Sequence, residues 1–164
     1  NKSIAEIADS IGIDIILVGD SVGNTALGYE TTLPVTIEEM ISHTAAVVRG
    51  VKEALVVTDL PFLSVGVEES VSVMNAGKML KMGGSDAVKI ESGPHTIGIT
   101  KRMVDIGIPV MAHVGLVPQR IRQIGGYYQQ GTDENSAQEI MELAIEHENA
   151  GAFAIVLELV IIQS

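Results

Sequence analysis

Residues 15–20, Ile15-Ile16-Leu17-Val18-Gly19-Asp20, pass from a short apolar run into a carboxylate. Three further runs end in a carboxylate and one in a histidine. Leu55-Val56-Val57-Thr58 leads into Asp59, Ala87-Val88-Lys89-Ile90 into Glu91, Pro109-Val110-Met111-Ala112 into His113, and Ala154-Ile155-Val156-Leu157 into Glu158. A run that is apolar on both faces, bounded by turn residues or helical patterns, reads as a buried parallel strand. Strands of a parallel sheet all point one way, so their C-terminal ends share one rim, where α/β sheets and barrels place their chemistry. Carboxylates gathered on one rim raise one another's pKa unless a cation neutralises them. A hard divalent ion with oxygen ligands suits such a set.

Working outward, helical and strand patterns alternate. Helix is expected over 2–11 and strand over 14–18. A helix over 36–49 follows a Gly-rich loop, with Thr36 as its N-cap and Glu38-Glu39 in its first turn. Strand 54–58, helix 68–82 closed by Gly83-Gly84, strand 86–90, helix 95–106 closed by Gly107, and strand 108–112 come next. A polar, Gly-rich stretch covers 115–133, before helix 134–150 and strand 152–157. The order is α(βα)4β, with short helix-to-strand and longer strand-to-helix connections. Five such strands fit an open doubly wound sheet. They also fit part of a (βα)8 TIM barrel whose first strand and last βα units lie outside the chain. The apolar tail Val160-Ile161-Ile162 has no helix after it, which favours the incomplete barrel. Residues 1–164 are therefore expected to be a single, incomplete TIM-barrel catalytic domain.

The 164 residues suffice for a sizeable core, and 46% of them are apolar, too many for a disordered chain. No run is long and apolar enough for a membrane span, and no basic, apolar leader opens the chain. The absence of cysteine fits a cytoplasmic setting. A net charge of −11 repels nucleic acid, and 3% aromatic residues without tryptophan offer no platform for stacking bases.

At each strand end a functional and a plainer reading stand side by side. In Val18-Gly19-Asp20-Ser21-Val22-Gly23, Asp20 can bind a metal and Ser21 an anion, or the pair can cap a turn; the spacing matches no nucleotide loop. Asp59 alone could cap its strand, but with Asp20 one βα unit earlier it reads as a metal ligand, and Pro61 fixes the chain leaving the strand. Lys89 and Glu91, two apart on a strand, point the same way, so Lys89 could pair with Glu91 or hold an anionic substrate. His113 could contact substrate or satisfy local hydrogen bonds. Glu158, with no basic neighbour in sequence, could have the raised pKa of a general base for a carbon acid, or join a rim ion pair. His43, His95 and His147 read as structural or solvated.

Several motifs then come in one order: Val18-Gly19-Asp20-Ser21, Thr32-Leu33-Pro34-Val35-Thr36, His43-Thr44-Ala45-Ala46-Val47, Asp59-Leu60-Pro61-Phe62, Val88-Lys89-Ile90-Glu91, His113-Val114-Gly115-Leu116, Pro118-Gln119 and Gly125-Gly126-Tyr127. Together the set resembles the ketopantoate hydroxymethyltransferase family over about residues 3–159. The resemblance implies a (βα)8 barrel of the phosphoenolpyruvate mutase and isocitrate lyase type. It implies transfer of a hydroxymethyl group from methylenetetrahydrofolate to 3-methyl-2-oxobutanoate, giving 2-dehydropantoate for pantothenate and coenzyme A synthesis, through a Mg²⁺-stabilised enolate. The matching metal residues are Asp20 and Asp59, with Glu91 in or near the shell. Asp20, Ser21, Asp59, Lys89 and His113 match substrate contacts, and Glu158 the proton acceptor. Cytoplasmic homo-oligomers, often decamers, are also implied. The sequence departs from the family at Tyr128-Gln129-Gln130-Gly131, and at Leu159-Val160-Ile161-Ile162, where a Pro-containing turn is usual. Two other readings stay open: a Mg²⁺-dependent carbon–carbon lyase or mutase acting on another 2-oxo acid, and a non-catalytic barrel fragment serving assembly.

Overall fold

The structure, a computed structural model, describes residues 1–161. The chain divides into two compact units, Asn1–Lys89 and the part that begins at Ile90.

In the first unit, α1 (Lys2–Ser10) is capped by Asn1, whose side chain accepts the Ile4 N–H. Strands β1 (Ile15–Val18), β2 (Leu55–Asp59) and β3 (Ala87–Glu91, its last two residues in the second unit) run parallel, with Val18 beside Thr58 and Asp59 beside Lys89. Helix α2 (Ile37–Val48) begins at Thr36 as expected. Thr36 Oγ1 accepts the Glu39 N–H, and the Glu39 carboxylate accepts the Thr36 N–H at 2.8 Å. The helix expected over 68–82 is α3 (Glu69–Lys78) followed by a wider π turn over Met79–Gly83, ended by Gly84 in the left-handed region. Gly83 lies against the Thr44 methyl, where a Cβ would come within 3.0 Å. Met40, Val57, Met79 and Val88 are fully buried and fill this core. Asp9 ties the end of α1 to the start of β2, its carboxylate accepting the N–H groups of Lys52, Glu53 and Ala54 at 2.8–3.1 Å.

In the second unit, the helix expected over 95–106 is a 3₁₀ turn (Pro94–Thr96) leading into α4 (Ile97–Asp105). The strand expected over 108–112 is β4 (Val110–Gly115). Pro109 has no N–H to give a ladder, so pairing starts after it and carries His113 into the strand. The stretch 115–133 holds a 3₁₀ turn (Pro118–Arg120) and the short α5 (Ile121–Ile124). Asp133 caps α6 (Glu134–Asn149) through the Ser136 N–H. Strand β5 (Ala154–Glu158) pairs parallel with β4. Gly151 approaches α4 so closely that a Cβ would meet Val104 Cγ1 at 2.8 Å.

The class is α/β with five parallel strands. Neighbouring strands follow chain order within each unit, and neither unit contains the reversal that marks a doubly wound sheet. No helix among the described residues is long and apolar enough to cross a membrane. Of the apolar tail Val160-Ile161-Ile162, Ile162 lies outside the described residues.

Candidate active site

The first unit brings Asp20, Asp59 and Lys89 together. Gly19 and Asp20 leave β1 in a tight turn, with the Gly23 N–H donating to the Asp20 carbonyl at 3.0 Å. That turn aims the Asp20 N–H at Asp59 Oδ2, 3.0 Å away. Cross-strand register sets Lys89 beside Asp59, and its ammonium lies 2.7 Å from Asp59 Oδ1. Asp20, Asp59 and Lys89 are all more than nine-tenths buried. Burial pushes the Asp59 carboxyl above its ordinary value, against the opposing pull of the Lys89 ammonium and the Asp20 N–H. Ser21 is exposed beside this cluster, and its carbonyl accepts the N–H groups of Asn24 and Thr25. A Cβ on Gly19 would crowd Ser21 Oγ at 3.0 Å, while Asp59 Oδ2, at 3.5 Å, would stand at ordinary contact distance.

The second unit brings His113 and Glu158 together. His113 pairs with Val156 in register, so Glu158, two residues on, points to the same face of the sheet. His113 Nε2 lies 3.3 Å from Glu158 Oε2; the histidine side chain is 2% exposed and the glutamate 40%. Ser92 clamps the histidine backbone: its N–H donates to the His113 carbonyl at 2.9 Å, and its hydroxyl accepts the His113 N–H at 3.1 Å. Gly115, with φ at +94°, lets β4 close on β5; a Cβ there would stand 2.4 Å from the Glu158 carbonyl oxygen. Leu159 turns the chain away from Glu158 with φ at +48°, a conformation leucine rarely adopts. The Gln130 N–H donates to its carbonyl at 2.8 Å. Both Glu91 oxygens accept the Gln119 N–H at 3.1 Å, which caps the short helical segment starting at Pro118.

The family model described as ketopantoate hydroxymethyltransferase matches residues 1–163. The chain belongs to the ketopantoate hydroxymethyltransferase family. It is similar to proteins named 3-methyl-2-oxobutanoate hydroxymethyltransferase from several organisms. The one from Natronomonas pharaonis is 62% identical over 154 residues, 94% of this chain and 57% of that protein. The one from Trichodesmium erythraeum is 52% identical over 157 residues, 95% of this chain and 60% of that protein. The one from Thermotoga neapolitana is 53% identical over 157 residues, 96% of this chain and 58% of that protein. The chain thus spans less than two thirds of the length of these relatives, all of which carry the name of a transferase.

The family resemblance read from the colinear motifs is borne out. Lys89, read as paired with Glu91 or holding an anionic substrate, has Asp59 on the neighbouring strand as an ion-pair partner, because register sets the two side by side. Glu158, which has no basic neighbour in sequence, has His113 beside it in space, the rim pairing that was its plainer reading. Sequence reasoning also missed Ser92, Gln119 and the threonine partners of His147. Backbone partners across a loop leave no spacing signal.

Asp20 and Asp59 are hard donors of the kind a divalent ion takes. Both offer oxygen only, both are buried, and their formal charge exceeds that of Lys89 by one. No set of three or more His, Asp or Glu side chains among the described residues is arranged to hold a metal. Mg²⁺ does not need one: it keeps several waters and is commonly bound through one or two carboxylates plus substrate. The pair fits that ion.

Proposed function

We propose that the protein carrying this chain transfers a hydroxymethyl group to 3-methyl-2-oxobutanoate, with methylenetetrahydrofolate as donor, giving 2-dehydropantoate. Membership of the family over residues 1–163 is the observation that carries this reading. In it, the chain forms part of a single catalytic (βα)8 barrel, and the enzyme is a cytoplasmic homo-oligomer.

Asp20 and Asp59 would hold Mg²⁺, with Glu91 assigned to the same shell by the family motif. When bound, that ion supplies Lewis acidity to the carboxylate and keto oxygens of the oxo acid and favours negative charge there. Ser21, Lys89 and His113 contact the substrate. Glu158 Oε2 accepts the proton from C3 of the oxo acid, and the buried His113 ring holds that carboxylate in place. The C3 electron pair forms a bond to the donated carbon. Both carbon–nitrogen bonds of the donor's methylene break, water supplies the hydroxyl group, and the two folate nitrogens take the proton removed from C3 and one from that water.

The test is exchange of deuterium from solvent into C3 of 3-methyl-2-oxobutanoate with Mg²⁺ present. Exchange in the wild-type protein, lost in Glu158→Gln, is the expected result. Exchange that persists in the variant would remove Glu158 from the reaction.

A further inference from the structure

The position of Lys89 carries a consequence for how the first-unit cluster takes a cation. Asp59 uses both of its oxygens: Oδ1 faces the Lys89 ammonium at 2.7 Å, and Oδ2 accepts the Asp20 N–H at 3.0 Å. All three residues are buried, so little water stands between these charges to screen them. A divalent ion bound through Asp59 would share a carboxylate with a full positive charge that already sits on it.

We propose that Lys89 is the resident counter-ion of Asp59 and competes with the divalent ion for that carboxylate. This rests on the reading of Asp20 and Asp59 as ion ligands. In the ion-free protein Lys89 neutralises Asp59 and keeps the turn after β1 closed on it through the Asp20 N–H. When the carboxylate is taken by an ion, Lys89 is released, still charged, to receive the carboxylate of the oxo acid. One lysine thereby serves two states of the site. The order of binding follows: ion first, anionic substrate second. A lysine suits this exchange better than an arginine, because its compact ammonium on a four-carbon stem reorients easily, whereas a guanidinium forms a fork with the carboxylate.

The experiment is calorimetric titration of MgCl₂ into the purified protein and its variants, which reads ion binding without turnover. Lys89→Met should bind Mg²⁺ roughly tenfold tighter or more, the effect of removing one neighbouring like charge. Lys89→Arg, which keeps the charge, should bind no more tightly than wild type. Far-ultraviolet circular dichroism checks that each variant is folded; if Lys89→Met is not, Lys89→Gln takes its place, with the same expected tightening. Equal or weaker binding in a folded, uncharged variant would overturn the competition while leaving the ion site in place. Failure of wild type and every variant to bind Mg²⁺ would overturn both the competition and the assignment of Asp20 and Asp59 as ligands.

Discussion

His113 Nε2 lies 3.3 Å from Glu158 Oε2, with the ring buried and the carboxylate reaching solvent. A buried ring whose backbone is clamped by Ser92 is fixed and can orient a neighbouring carboxylate. Glu158→Gln should therefore lower kcat by about 10²–10⁴-fold, the usual range for loss of a general base, with little change in KM. His113→Asn should cost less, because the carboxylate remains. Steady-state kinetics on the purified variants decides it. Equal losses for both would mean that the ring does more than contact the substrate and hold the carboxylate.

Gly115 is required where it stands. Its φ of +94° disfavours any side chain, and a Cβ would fall 2.4 Å from the Glu158 carbonyl oxygen. Gly115→Ala should lower stability by about 2–4 kcal/mol through strain and forced separation of β4 and β5. Urea unfolding measures the loss. Because the displaced atom belongs to Glu158, kcat should fall as well.

Asp9 holds three backbone N–H groups at the start of β2, and those bonds, led by that from Ala54, keep its carboxyl below the ordinary aspartate value. A carboxyl depressed in the folded state adds stability that is whole above its unfolded value, near pH 4, and is lost as pH falls through the lower folded value. Asp9→Ala should be less stable than wild type at pH 7, and the gap in urea midpoint should shrink below about pH 4. A gap that stays constant down to pH 2 would argue that the carboxylate's charge is not what matters.

His147 is fully buried on α6, with Nδ1 3.0 Å from Thr100 Oγ1 and Nε2 3.4 Å from Thr96 Oγ1. Burial holds its imidazole below the ordinary value. The unfolded chain takes the proton first, so the contribution is whole above about pH 6.5 and declines as pH falls toward the folded value. Wild type should lose stability between pH 7 and pH 5 more steeply than His147→Gln. Thermal melting at several pH values checks it, and parallel slopes would exclude this histidine.

Much of the fold was legible in the chain. Mostly apolar runs marked the five strands; β2, β3 and β4 are buried almost throughout, whereas β1 and β5 leave Ile15, Leu17 and Leu157 exposed. Thr36 with Glu39 announced the start of α2, and Gly107 the end of α4, because caps and left-handed turns are local chemistry. The same patterns set Asp59, Glu91 and Glu158 at the ends of their strands. The tertiary structure decided what those residues meet. Asp59 finds Lys89, His113 finds Glu158, and Asp9 finds three amides more than 40 residues away, with sequence separations of 30, 45 and 43–45. Such partnerships depend on strand register and on which strands are neighbours. Those are settled by burial of the whole sheet and by loop closure, which no run of adjacent residues encodes.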